Sequence, residues 1–80
     1  MQTIFVFVKC QLGQAYNAAA DLVDHVSEVS EVYSISGEFD LMIKVHLENN
    51  QDIGRFVNEK IHAIANIKDT QTLMTFNAFT

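Results

Sequence analysis

Apolar and polar positions change period several times along the chain. Thr3 to Gln11 (TIFVFVKCQ) is β-branched and aromatic, which predicts a strand. Its two faces, Ile4, Val6, Val8 and Cys10 against Phe5, Phe7 and Lys9, are both largely apolar, so it is expected to be buried on both sides. Gly13 breaks it. Ala15, Ala18, Ala19, Leu22, Val23 and Val26 then recur at helical spacing, with Asp21, Asp24, His25 and Glu28 off that stripe. Glu31 to Ser36 (EVYSIS) alternates as a second strand. Gly37 and Glu38 mark a tight turn, and Phe39 to Leu47 (FDLMIKVHL) is a third strand. The polar run Glu48 to Gln51 reads as a loop, with Asn50 or Asp52 as the cap of a second helix. That helix carries Ile53, Phe56, Val57, Lys60, Ile61 and Ile64 on one stripe, and Asn66 suits a left-handed cap near its end. Lys68 to Phe79 reads as a fourth strand.

The order is β-α-β-β-α-β, and the two halves echo one another. Val23, Val26 and Val29 lie 38 residues before Ile61, Ile64 and Ile67, and Phe5 and Phe7 lie the same distance before Ile43 and Val45. Two β-α-β halves on one plan predict an α+β, ferredoxin-like βαββαβ fold, a four-stranded antiparallel sheet with two helices on one face. The echo runs nearly end to end, so residues 1–80 are expected to form a single domain. The same register places Phe5, Phe7, Ile35, Ile43, Val45 and Leu73 under the helices. It leaves Ile4, Val6, Val8, Met42, Met74 and Phe76 on the open face, interleaved with Ser34, Ser36, Lys44, His46, Thr70 and Thr72. So many large apolar residues exceed a tolerable exposed patch, and hiding them at about 25 cal/mol per Å² is worth several kcal/mol. A homodimer packed sheet to sheet is therefore expected, with those six apolar residues as its interface. The alternative is a face covered by an unrelated protein.

Composition narrows the classes. Eighty residues lie near the small end of chains that fold alone, yet 49% of them are hydrophobic. Ten acidic against five basic residues give a net charge of −5, which argues against direct nucleic-acid binding. One cysteine gives no disulfide frame and fits a reducing, cytoplasmic setting. No run approaches the ~18 apolar residues of a membrane span, and no signal peptide is visible.

Little in the residue types points to catalysis. Cys10 sits on a buried strand with no base paired to it and reads as a core thiol. The spacing of His25, His46 and His62 fits no zinc pattern, so no metal or cofactor is expected. Gly13 and Gly54 do not form a phosphate loop. The turn Ser36-Gly37-Glu38-Phe39-Asp40 stands out. It exposes backbone donors and acceptors beside a carboxylate, a corner able to hold an ammonium and a carboxylate together. The other reading is a hairpin whose acids are simply solvated.

The segment from Val29 to Val45 (VSEVYSISGEFDLMIKV) resembles the core signature of the Lrp/AsnC effector domain: a valine-rich strand, Gly-x-(Tyr/Phe)-Asp, then an aliphatic strand. Ile67 to Thr75 (IKDTQTLMT) is similar to the last strand of that family, with its Thr-x-Thr. The domain is often called RAM, for regulation of amino acid metabolism. The resemblance implies a dimeric α/β barrel, assembly into tetramers, octamers or decamers, and small effectors, usually amino acids, held between dimers. Carried onto this chain, it implies Gly37 and Asp40 as ligand-binding residues, with Tyr33, Thr70 and Thr72 as further candidates. Asp40 would accept from the ammonium and Thr72 would donate a hydroxyl. Full-length members carry an N-terminal helix-turn-helix, whereas this sequence starts at the first strand. It is thus expected to be a stand-alone form that co-assembles with a full-length Lrp-type regulator rather than binding DNA. The competing expectations are a small monooxygenase-like barrel enzyme and a purely structural oligomerisation module.

Overall fold

The central strands of the sheet carry the core. The computed structural model describes residues 1–78. Its elements run β1 (Gln2–Cys10), α1 (Ala15–His25), β2 (Val29–Ser34), β3 (Leu41–Leu47), α2 (Ile53–Phe56) continued by a π-helical turn (Val57–Ile61), and β4 (Ile67–Met74). The four strands form one antiparallel sheet in the order β2-β3-β1-β4. This is the ferredoxin-like βαββαβ arrangement that the periodicity predicts. The last strand ends at Met74, short of the expected Phe79, which itself lies outside the described residues.

Local chemistry sets the boundaries. Gly13 turns the chain out of β1 with a φ of 76°, a conformation that costs glycine nothing sterically. Of the two expected caps of α2 it is Asp52 that acts: its Oδ1 accepts from the Arg55 amide at 3.0 Å. Past Phe56 the ladder widens, and the His62 amide donates to the Val57 carbonyl at 2.9 Å, five residues back. That wider turn directs Val57 and Ile61 into the core with Phe56. Asn66 adopts the left-handed conformation, φ 70°, and leads the chain into β4.

The face covered by the helices differs from the expectation, and the difference is a register effect. Ile4, Val6, Val8 and Cys10 of β1 pack with Leu41, Ile43, Val45 and Leu47 of β3 beneath Ala18, Leu22, Val26, Phe56, Val57 and Ile61, none of them more than 8% exposed. The pairs Ile4–Val45, Val6–Ile43 and Val8–Leu41 fix this directly. Ile4, Val6 and Val8 are thus not on the open face, and Met74 shares their face because it pairs with Ile4. Phe76 lies beyond β4 and is exposed. Conversely, Phe5 and Phe7 lie on the open side opposite Lys44 and Met42, and Leu73 lies there opposite Phe5. Thr70 and Thr72 pair with Val8 and Val6, and Ser34 pairs with Leu41, so these too move to the helix side. In an antiparallel ladder a slip of one residue transfers every side chain to the other face. The 38-residue echo matches Val29 to Ile67, but β1 matches β3 one residue further on, Ile4 to Ile43. Val23 also departs from its stripe and is exposed on α1.

A polar tie closes the far side of the fold. Glu28, between α1 and β2, accepts from Lys60 Nζ at 2.9 Å, from Ser27 Oγ at 3.2 Å and from Gln51 Nε2 at 3.5 Å. Burial raises its pKa, but the bonds from Lys60, from its own amide and from Ser27, with the Lys60 charge, outweigh that and leave the carboxyl below its ordinary 4.5. A lowered carboxylate contributes stability at neutral pH that is lost as pH falls through its folded value. Glu28→Gln is therefore expected to lower the urea midpoint at pH 7 and to change it little at pH 3. An equal loss at both pH values would contradict the assignment.

Candidate functional site

The turn singled out in the sequence closes one end of the sheet. The chain leaves β2 at Ser34 and re-enters β3 at Leu41, a longer loop than the expected tight Gly37-Glu38 turn. The loop is pinned at its base. The Ile35 amide donates to the Asp40 carbonyl at 3.0 Å, and the Asp40 amide donates to the Val8 carbonyl at 2.9 Å. Gly37 has a φ of 107° with nothing within 4 Å of where a Cβ would lie, so conformation rather than space requires glycine there.

Asp40 is the structural centre of this corner. Its Oδ2 accepts from the Cys10 amide at 2.7 Å, tying the loop to the end of β1. Burial, and secondarily the Asp40 charge, raises the Cys10 pKa, which keeps the sulfur a neutral thiol. Lys9 Nζ reaches across to the Glu38 carbonyl at 3.3 Å. A cleft of about 620 Å³ opens here, lined by Gly37, Glu38 and Asp40 from the loop and by Lys9 and Lys68 from β1 and β4. Both signs of charge thus meet around exposed backbone, the complement of a zwitterion. Asp40 also lines a second, less polar cleft with Ala15, Tyr16 and Ile35.

The other expected ligand residues do not join them within one protomer. Tyr33 lies on the open face of β2, paired with Met42, and its hydroxyl donates to Glu31. That bond lowers the Glu31 pKa and raises that of Tyr33. Thr70 bonds His62 Nε2 at 2.8 Å on β4, the opposite edge of the sheet from β2. Thr72 is two residues further along the same strand, facing the helix side. Sequence reasoning missed the cations Lys9 and Lys68 and the Tyr16 wall. Asn66 and the cleft it shares with Lys68 become neighbours of Gln11 only through the fold, where the Gln11 amide donates to the Asn66 carbonyl at 2.9 Å.

The open face is a second feature. Phe5, Phe7, Met42 and Leu73 make its apolar surface. Phe39 packs on Phe7 with ring centroids 5.7 Å apart. Beside them Lys44 pairs with Glu31 at 3.5 Å, and Thr3 Oγ1 bonds His46 Nδ1 at 3.1 Å. Among the described residues no three His, Cys, Asp or Glu side chains gather as a metal site. No helix among them is long and apolar enough to cross a membrane.

The model of the Lrp/AsnC ligand binding domain matches residues 3–80. The chain belongs to the Lrp/AsnC family. An uncharacterised HTH-type transcriptional regulator of Pyrococcus horikoshii is 30% identical over 76 residues, covering 92% of this chain and 51% of the relative. The chain thus spans about half the length of the curated relatives it matches. Among solved structures, a hypothetical protein from Pyrococcus horikoshii superposes with a TM-score of 0.84 at 29% identity, covering 98% of this chain and 93% of that one. A Thermus thermophilus protein gives 0.87 at 26% identity, covering 100% and 99%. A Neisseria meningitidis transcriptional regulator solved as its L-Met complex shares the fold, with a TM-score of 0.81 at 18% identity over 99% of this chain and 52% of that one. This Lrp/AsnC chain is therefore a ligand-binding domain of the type found in transcription regulators.

Proposed function

We propose that residues 1–80 act as one effector-sensing, oligomerising domain without enzymatic activity, binding an amino acid at the Gly37–Asp40 corner. The observation that carries this reading is that Asp40, Lys9 and Lys68 line one cleft, an acid and two bases around the same opening. An amino acid offers the complementary ammonium and carboxylate, and the L-Met complex of the Neisseria relative supports that ligand class. The side chains buried between sheet and helices are all apolar among the described residues, which leaves no acid or base there for a barrel-type reaction. Isothermal calorimetry against the twenty amino acids tests the reading. Saturable binding by at least one is expected, and heat from none of them would contradict it.

Assembly is the second half of the proposal. The apolar open face, now Phe5, Phe7, Met42 and Leu73 rather than Ile4, Val6 and Val8, is the surface proposed to meet a second copy sheet to sheet, with larger rings built from such dimers. A neighbouring protomer would be needed to bring Tyr33, Thr70 or Thr72 towards the effector. The net charge of −5 argues against direct DNA binding by these residues, so transcriptional output is proposed to run through a helix-turn-helix supplied by an Lrp-type regulator, in the cytoplasm.

A further inference from the structure

The open face differs electrically from the rest of the chain. Alternation along the strands puts Lys9 of β1, Glu31 of β2, Lys44 of β3 and Asp69 of β4 on it, two of each sign. The other eight acidic and three basic residues carry the whole net charge of −5. Two copies therefore repel through the rest of their surfaces but not through this face. Its charges already have neighbours of opposite sign within one protomer. Glu31 pairs with Lys44 at 3.5 Å and accepts from the Tyr33 hydroxyl, and Lys9 stands directly across from Asp69 on the neighbouring strand. Beside them lie the apolar side chains of Phe5, Phe7, Met42 and Leu73. We propose that this charge balance selects the partner of the open face: it pairs with a second copy of this chain and refuses a face with a surplus of either sign, Glu31 and Lys44 enforcing the choice. The inference rests on the sheet-to-sheet reading above and adds what decides the partner.

The physical reason is desolvation. An ion pair closed within one protomer brings little unmet charge into a contact, which leaves the apolar side chains to drive it. A partner with surplus charge meets no counter-charge on a balanced face and gives up its water uncompensated. A second copy presents the same balance and the same apolar residues, so neither side bears that cost. Discrimination thus comes from the penalty on the wrong partner rather than from added attraction for the right one. An Lrp-type regulator whose own face is unbalanced would then join through another surface. His46 is a further titratable side chain here, bonded to Thr3 and close enough to Glu31 to act on its charge. Work at pH 8 keeps histidine uncharged and the balance intact.

The test is analytical ultracentrifugation of the whole chain and its variants at pH 8 and low salt, with circular dichroism to check folding. Glu31→Lys leaves the face with two positive charges in excess, and Lys44→Glu leaves it with two negative. Each alone is expected to self-associate at least about a hundredfold more weakly than the parent. Glu31→Gln, nearly isosteric, leaves an excess of one and is expected to weaken association about tenfold. An equimolar mixture of the two charge-reversed variants is expected to form a mixed dimer within about tenfold of the parental affinity. The double variant Glu31→Lys, Lys44→Glu is expected to pair with itself again. Raising the salt to about 1 M, where screening acts within about 3 Å, is expected to relieve the block in the single variants. Folded single variants that associate as the parent does, or a mixture that stays monomeric, would overturn selection by charge while leaving sheet-to-sheet pairing standing. A monomeric parent, or a Phe7→Asp variant that associates normally, would overturn both.

Discussion

Val6→Asp is expected to abolish folding, whereas Phe7→Asp leaves a folded chain that no longer self-associates. The two positions are adjacent and were both apolar candidates, yet Val6 is fully buried against Ile43 beneath the helices and Phe7 faces outwards beside Met42 and Phe39. An unpaired carboxylate forced into the core costs several kcal/mol, a large share of the roughly 5–15 kcal/mol that holds a typical domain together. At Phe7 the aspartate stays in water in the protomer, and its cost falls on the proposed sheet-to-sheet contact, where two copies would bring like charges into an apolar interface. Circular dichroism read beside light scattering separates the outcomes. Loss of structure in the Phe7 variant with retention in the Val6 variant would reverse the assignment of faces.

Asp40 is expected to separate a structural from a binding role. In Asp40→Ala the Cys10 amide loses its 2.7 Å acceptor, and leaving such a group unpaired costs about 1–3 kcal/mol. In Asp40→Asn the side-chain oxygen still accepts from Cys10 but the negative charge is gone. The asparagine variant is expected to melt close to the parent and to bind an amino acid about tenfold to a hundredfold more weakly, the loss of a charge-assisted bond. Denaturant melts beside calorimetry check both. Full affinity in the asparagine variant would place the effector's ammonium elsewhere.

The order of elements was legible because each boundary carries a local signal. Gly13 and Asn66 take positive φ, and Asp52 caps the second helix where the pattern put a cap. The faces of β1 were not legible, for a physical reason. Alternation assigns a face only when one side is polar, and Ile4, Val6 and Val8 are no more apolar than Phe5 and Phe7. The internal repeat matches β2 to β4, Val29 to Ile67, but runs one residue short between β1 and β3. The faces it assigned to β1, β2 and β4 are the reverse of those observed, Ser34, Thr70, Thr72 and Met74 lying on the helix side and Leu73 on the open side. The site was half legible. Gly37 and Asp40 belong to one loop, so a short motif contains them. Lys9, Lys68 and Tyr16 reach the same corner from three other elements, and only strand pairing brings them there. Thr70 and Thr72 entered by resemblance alone, and within a protomer they lie on the far edge from Tyr33.

The proposed effector corner adjoins the open face where Phe39 packs on Phe7. Gly37, Asp40 and Cys10 at the corner are distinct from Phe5, Met42 and Leu73 further along that face, so one measurement can localise the ligand. Amide chemical shifts followed through a titration of the whole chain with an amino acid that binds in calorimetry report which surface responds. The largest changes are expected at Gly37, Glu38, Asp40 and Cys10, with Lys68 and Tyr16 following. A titration that leaves these amides unmoved, or that moves only Phe5, Met42 and Leu73 on the open face, would contradict the assignment of the Gly37–Asp40 corner as the effector site.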